Sequence, residues 1–178
     1  HPYGRAVLGS EDHVAAATPD AALDFFRAGY GAANLVACLA GDFDLDETLA
    51  LLARTLGSLP AGEVPERALP PVPPIHGVRR VSLAHQAEPE MRLAWLTVPA
   101  AHADRPALAL ADMLLDNRAT GLLGRHLVHP QRVRGAGSGC ATMREAGAFV
   151  IWGRPNEGQT LDEVEGLLDS LLEERLVG

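Results

Sequence analysis

The sequence predicts an α+β fold in which helices cover one face of a mixed or antiparallel sheet. Apolar residues recur at helical spacing in segments that begin with capping residues, while shorter runs alternate with the period of a strand. Strand candidates fall in adjacent pairs with tight connections, which favours antiparallel pairing. Hydrophobic residues make up 47% and charged residues 21% of the 178-residue chain, so a packed core is expected rather than disorder.

The first two substantial helices are predicted from their capping residues. Thr18 precedes Pro19, a pair typical of a helix start, and Gly29 is expected near the end of this helix. Asp44 stands three residues before Glu47 and predicts a capping box at the start of the second helix. Leucines then recur at helical spacing as far as Leu56, which predicts an amphipathic helix.

Between these helices, residues 34–40 form a short apolar run bounded by turns. The run predicts a strand that is buried on both faces. A buried strand without a neighbour would leave backbone amides unsatisfied and an adhesive edge exposed. We therefore expect it to pair within the sheet of the second half of the chain or with another copy of the chain.

A proline-rich connector separates the two parts of the chain. Six of the thirteen prolines lie between Pro60 and Pro74. Proline fixes φ and removes a hydrogen-bond donor, so this stretch cannot join a helix or a central strand. We interpret residues 60–78 as a semi-rigid linker between residues 1–59 and residues 79–178.

The second part is predicted to contain four strands and three helices. The strands are expected at residues 81–85, 91–98, 132–143 and 148–152. The third of these is rich in glycine, so we expect it to be bent or bulged. Asp104 and Thr120 are expected to begin helices, and Thr160 with Glu163 forms a capping box that opens the last one.

Charge and composition exclude several classes of partner. The formal net charge is −8, and the basic residues are scattered arginines without any lysine, so a nucleic-acid partner is not expected. No apolar run is long enough to cross a bilayer. Cys38 and Cys140 lie in apolar or small-residue runs, which favours buried free thiols over the alternative of a disulfide.

Two motifs resemble ligand sites. His126 and His129 share one helix face and could bind zinc, but no acidic residue at helical spacing completes a site, which favours a surface or half-buried pair. Residues 135–139 are glycine-rich but match neither a dinucleotide fingerprint nor a phosphate loop, which favours a strand softened by glycine. The sequence therefore assigns no catalytic, cofactor-binding or metal-ligating residue in this chain.

Four groups of segments together resemble the pitrilysin/insulinase family of zinc peptidases, and especially its bacterial branch similar to mitochondrial processing peptidase. The resemblance covers nearly the whole chain. Its segments are His1-Pro2-Tyr3-Gly4-Arg5 with residues 7–9, residues 18–42 ending in Gly41-Asp42, the connector with Arg79-Arg80-Val81, and residues 111–122 with residues 153–160. Arg118-Ala119-Thr120 departs from the family pattern, in which glycines and serines are expected.

The resemblance implies a division of labour. In that family an H-x-x-E-H helix binds zinc, and the resemblance places this motif before His1, with no copy in this sequence. Residues 1–59 would be the C-terminal part of the first, metal-bearing half-domain. Residues 79–178 would be the N-terminal part of the second, non-catalytic half-domain, which helps to hold an extended peptide, often by strand addition.

Three interpretations follow. The first is a non-catalytic segment of a zinc metalloendopeptidase: zinc belongs to the parent protein, and the partners are a peptide or unfolded protein substrate and the missing half-domain. The second is part of a catalytically inactive scaffold subunit that pairs with an active peptidase. The third is an unrelated ligand-binding α+β domain, which a pocket of convergent polar groups would favour.

Overall fold

The computed structural model describes residues 1–64, 68–117 and 119–177. It divides into two compact units, His1–Pro70 and Pro71–Gly178. Residues 65–67 of the predicted linker and Arg118 of the segment that departs from the family pattern lie outside the described residues. Each unit is described below by itself.

The first unit is helical. Helix α1 spans Glu11–Ala15, α2 spans Pro19–Gly29 and α3 spans Leu45–Thr55. Short 3₁₀ turns lie at Pro2–Gly4, Ala32–Asn34 and Leu56–Ser58. The latter part of the unit is tied to its middle by two backbone hydrogen bonds, from the N–H groups of Ala32 and Ala33 to the carbonyls of Pro60 and Ala61.

The predicted starts of α2 and α3 are confirmed. The Thr18 hydroxyl accepts a hydrogen bond from the backbone N–H of Ala21 at 3.2 Å. The Asp44 carboxylate accepts one from the N–H of Glu47 at 2.9 Å. Each cap satisfies an amide that has no partner inside its helix, so these helix starts follow from local sequence.

The strand predicted at residues 34–40 is wrong. Residues 35–40 belong to no strand, and Leu35 and Val36 are 49% and 94% exposed. A strand is stabilised by hydrogen bonds to a neighbouring backbone, and no described segment of the first unit supplies such a neighbour. An apolar run alone therefore did not create a strand here.

The second unit is built on a three-stranded antiparallel sheet. Strand β1 is Met91–Thr97, β2 is Gly135–Thr142 and β3 is Gly147–Arg154. Their order in the sheet is β1-β3-β2, and both pairs are antiparallel. Helix α4, Arg105–Leu115, connects β1 towards β2 through a π-helical turn at Gly124–Val128, and helix α5, Leu161–Leu172, follows β3.

Most predictions for this unit are confirmed. The three strands and the last helix lie where the sequence placed them, and Thr160 with Glu163 forms both hydrogen bonds of the capping box. The predicted strand at residues 81–85 is wrong, because these residues are not hydrogen-bonded into the sheet. The glycine-rich segment is confirmed as the strand β2 rather than a phosphate loop.

The core lies between the sheet and α5. Alternate residues of β3, including Phe149 and Ile151, face it at 8% and 2% exposure. The helix approaches the sheet closely at Gly153, where a Cβ atom would lie 2.6 Å from Val164 Cγ1. The remaining buried apolar residues of this cluster are Leu115, Leu123, Leu127, Val133, Val164, Leu168 and Leu171.

Candidate functional site

The two edges of the sheet have different environments. Because β3 is central, β1 and β2 are the edge strands. An edge strand presents a row of backbone N–H and C=O groups that can pair with another extended chain, unless something covers it. The sheet edges are therefore the places where this unit could recognise a backbone.

Helix α4 covers part of the β2 edge. The Asp116 carboxylate, just after the helix, accepts a hydrogen bond from the backbone N–H of Ser138 at 3.3 Å. The Ser138 hydroxyl donates to the Asp112 carboxylate, one turn earlier on the helix. Gly137 permits this approach, because a Cβ there would lie 2.7 Å from Asp116 Oδ2. The Asp116 carboxylate thus takes up the backbone N–H of Ser138, to which an added strand would otherwise bond.

This contact also fixes the direction of the backbone groups across the sheet. In an antiparallel ladder, residues along a strand alternately point their N–H and C=O groups towards one neighbour and away from it. The Ser138 N–H points away from β3, and Ser138 is paired with Ile151. The backbone groups of Ile151 must therefore point to the other neighbour, β1.

On β1 the same alternation identifies the outward-facing residues. Ile151 is paired with Leu93, which therefore points its backbone groups inward to β3. Arg92, Ala94 and Leu96 then point their N–H and C=O groups to the free edge. Within the described ranges, no other backbone segment donates to or accepts from these residues.

A groove lies beside the beginning of this open edge. It has a cavity volume of about 310 Å³ and is lined by residues 78–83, residues 90–93, and Leu161, Asp162 and Glu165 at the start of α5. Residues 78–83 include part of the segment that the sequence predicted as a strand. They therefore lie near the edge of β1 without pairing with it.

A bidentate ion pair holds the outer side of the groove. The Arg80 guanidinium donates to both carboxylate oxygens of Glu165 on α5, at 2.6 and 2.7 Å. These hydrogen bonds lower the pKa of Glu165 below its usual value. The Arg80 side chain is well exposed, so the pair contributes little to stability. Its bidentate geometry positions the segment.

A second ion-pair cluster fastens the start of β1 to β3. The Glu90 carboxylate accepts from Arg92 on β1 and from Arg154 on β3, the latter at 2.9 Å. The hydrogen bond from Arg92 is the main reason why the pKa of Glu90 is lowered. The Arg154 guanidinium also lies over the Trp152 ring, 5.1 Å from its centroid. Sequence reasoning missed this cluster.

Side chains of the segment after β3, which carries part of the family resemblance, donate hydrogen bonds to the turn before β2. The Asn156 amide donates to the carbonyl of Gln131 at 2.8 Å, and the Gln159 amide donates to that of Arg132 at 3.0 Å. Gln131 has a φ of 57°, in the left-handed region that is uncommon for residues other than glycine. The motif therefore fixes the turn that leads into β2.

The residues considered as ligands in the sequence are placed as follows. His126 lies half-buried in the π-helical turn, and His129 is exposed just after it. Among residues 1–64, 68–117 and 119–177, no three His, Cys, Asp or Glu side chains are grouped so that they could hold a metal ion. Both cysteines are free thiols as expected, but Cys38 is exposed and Cys140 half-buried, so the prediction that they are buried is wrong.

No helix in the described part of the chain is both long and apolar enough to cross a membrane.

Three solved structures are similar to this chain. A protease from Helicobacter pylori is 22% identical over 98% of this chain and 43% of its own, with a TM-score of 0.81. A peptidase M16 inactive domain from Pseudomonas fluorescens is 23% identical over 97% of this chain and 41% of its own, with a TM-score of 0.69. The first half of the periplasmic protease PqqL from Escherichia coli is 15% identical over 97% and 43%, with a TM-score of 0.52.

This chain therefore spans less than half the length of each of these chains. No curated protein sequence matches it significantly. Residues 16–176 match the sequence profile described as the peptidase M16 inactive domain. The match covers most of both units, and the similar structures share the fold, so the chain belongs to the peptidase M16 inactive domain family.

Proposed function

We propose that this chain is a non-catalytic segment of a zinc-dependent metalloendopeptidase and forms part of the chamber that encloses its peptide substrate. Residues 1–59 are the C-terminal part of the metal-bearing half-domain, and residues 79–178 begin the second half-domain. The match of residues 16–176 to an inactive-domain family is the observation that carries the proposal.

The surface of the first unit supports a packing role. None of its described residues is buried. Phe26 on α2 stacks on Tyr30, which follows the helix, with ring centroids 5.1 Å apart, and the two remain 56% and 64% exposed. On α3, Leu45 and Leu49 are 63% and 54% exposed. Apolar helix faces of this kind are stabilised when another element covers them, and the proposed partner is the remainder of the metal-bearing half-domain.

In this proposal, zinc belongs to the parent protein. The two histidines of an H-x-x-E-H helix in the other part would hold the zinc, which when bound would activate a water for peptide hydrolysis. The residues of this chain pack against that part and hold an extended peptide or unfolded protein substrate. The sheet edges of the second unit provide the backbone groups suited to an extended chain.

Complementation by separate pieces tests the proposal. The purified chain should neither retain stoichiometric zinc nor hydrolyse a quenched fluorescent peptide. Mixed with the metal-bearing remainder encoded beside it, it should increase zinc-dependent hydrolysis. Stoichiometric zinc together with hydrolysis by this chain alone would overturn the proposal. A degraded H-x-x-E-H motif in that remainder would instead support an inactive scaffold subunit.

A matched pair of variants tests the packing face. Phe26→Asp places a charge on the exposed aromatic pair of α2 and should abolish the increase in hydrolysis. Arg27→Ala changes the neighbouring residue, whose side chain is 68% exposed beside Asp24, and should leave the increase intact. Equal effects of the two variants would contradict the assignment of this face to the interface.

A further inference from the structure

We propose that the first unit completes its folding only when it docks. Its helices α2 and α3 are stable while another surface covers them, and in the free chain they open although the second unit stays folded. This inference rests on the proposed function and deepens it, because it makes docking on the metal-bearing remainder and ordering of the first unit a single step.

The first unit lacks the burial that normally offsets the cost of ordering a chain. Each residue that becomes fixed loses conformational entropy, and removal of apolar surface from water is the main compensation. None of residues 1–64 or 68–70 is buried, and Leu23, Phe26 and Leu49 remain 44%, 56% and 54% exposed. The compensation is therefore small until a partner covers these side chains.

Local interactions do not make up the difference. Helices α2 and α3 have 11 residues each, and isolated helices shorter than about 12–15 residues are marginal in water. The caps at Thr18 and Asp44 decide where the helices begin. The ion pair of Arg27 with Asp24 on α2, at 3.6 Å, joins two exposed side chains and contributes little.

A backbone joint sets the shape of the docked unit without supplying a core. Hydrogen bonds of 2.9 and 2.7 Å join residues 32–33 to residues 60–61. The backbones are close together here, because a Cβ on Gly31 would lie 2.9 Å from the Cα of Gly62. The joint closes the segment that contains α3, but its hydrogen bonds are not shielded by buried side chains, so it does not hold the helices by itself.

Charge and exposed side chains indicate the surface that covers the first unit. Phe25 and Leu45 are 68% and 63% exposed, which calls for an apolar centre. Residues 1–64 contain nine aspartates and glutamates but three arginines. The partner that complements this charge has basic side chains at the rim of its apolar surface, and we assign that surface to the metal-bearing remainder.

Amide exchange of the full chain tests the stability of the free first unit without any partner. The amides of Phe26 on α2 and Leu52 on α3 should exchange within about tenfold of the rate of an unstructured peptide. Those of Ile151 and Leu168 in the second unit should be protected by about a thousandfold or more. Protection of α2 and α3 equal to that of β3 would overturn the inference and leave the proposed function standing.

A matched pair of variants tests whether α2 forms during docking. Asp24 precedes Phe26 by two residues and therefore lies on the opposite side of the helix. Asp24→Ala and Asp24→Gly both remove the ion pair with Arg27, but glycine also lowers helix propensity. In calorimetric titration with the metal-bearing remainder of the complementation assay, Asp24→Gly should bind about fourfold more weakly than Asp24→Ala. Equal affinities would show that α2 is already formed in the free chain, which overturns the inference.

Salt tests the basic rim of the partner surface. The association rate constant should fall severalfold between about 50 mM and about 500 mM sodium chloride, and an unchanged rate constant would overturn the assignment of that rim. If the unaltered chain does not bind the remainder at all, the proposed function is contradicted and this inference loses the partner that it names.

Discussion

The two units contain the same kind of local helix signals but very different packing. Thr18 caps α2 in the first unit much as Thr160 caps α5 in the second. Yet no described residue of the first unit is buried, whereas Val164 and Leu168 on α5 are 0% exposed. A cap and an apolar stripe therefore suffice for a helix, but a core requires an opposing surface.

The opposing surface in the second unit is the sheet. Phe149 and Ile151 of β3 face α5, and Gly153 lets the helix backbone approach the strand. The first unit has the amphipathic helices α2 and α3 but no strand among its described residues on which they could pack. The difference indicates that stability resides in the second unit, while the first unit presents surface for packing.

Truncation of an apolar side chain should give the largest difference in lost stability between the two units. Leu168→Ala removes a fully buried side chain and should lower the free energy of unfolding of the second unit by about 2–5 kcal/mol. Both tryptophans, Trp95 and Trp152, belong to that unit, so fluorescence during urea unfolding reports on it. The matched truncation Leu49→Ala on α3 should change this transition by less than about 0.5 kcal/mol. Comparable losses in free energy of unfolding for the two variants would contradict the difference in packing between the two units.

Two glycine substitutions test how strongly stability depends on the close approach of α5 to the sheet. Gly153→Ala would place a Cβ 2.6 Å from Val164 Cγ1, and this overpacking should cost about 1–3 kcal/mol. Gly139→Ala on β2 meets no atom within 4 Å and should leave stability nearly unchanged. The midpoint of thermal unfolding, followed by tryptophan fluorescence, measures both. A harmless Gly153→Ala would show that α5 can shift on the sheet.

The ion pairs of the second unit should give the smallest effect. Hydrogen bonds from Arg92 and Arg154 lower the pKa of Glu90 in the folded state. Its contribution is therefore present above the pKa of the unfolded chain and is lost as the pH falls through the lower folded value. Glu90→Gln should cost about 0.5–1 kcal/mol at pH 7, measured by urea unfolding. The difference from the unaltered chain should shrink as the pH falls below the ordinary pKa of a glutamate, about 4.3, through the lower folded value, and a constant difference would argue against this linkage.

Local signals predicted much of the secondary structure. Capping residues gave the starts of α2, α3 and α5, and the alternation of apolar residues gave β1 and β3. The strands predicted at residues 34–40 and 81–85 failed, although their patterns are as apolar as those of the true strands. A strand forms only beside another strand that is often distant in sequence. Local composition does not show whether such a strand lies beside it in the fold.

The candidate site was less predictable than the helices. The resemblance suggested strand addition to a sheet edge but did not say which edge. That depends on Asp116 and Ser138, which are 22 residues apart and meet only in the folded unit. A signal that could have found this contact was the four-residue spacing of Asp112, on α4, and Asp116, just after it. For the Glu90 ion-pair cluster, the only signal in the local sequence was the nearby basic residue Arg92.

The amino-acid sequence by itself determined where α2, α3 and α5 begin and which family the chain belongs to. These properties depend on neighbouring residues or on ordered motifs along the chain. Only the tertiary structure decided the strand order β1-β3-β2, the burial of α5, and which edge α4 covers. Those outcomes depend on contacts between distant segments, whose hydrogen bonds and buried surfaces exist only after the chain has folded.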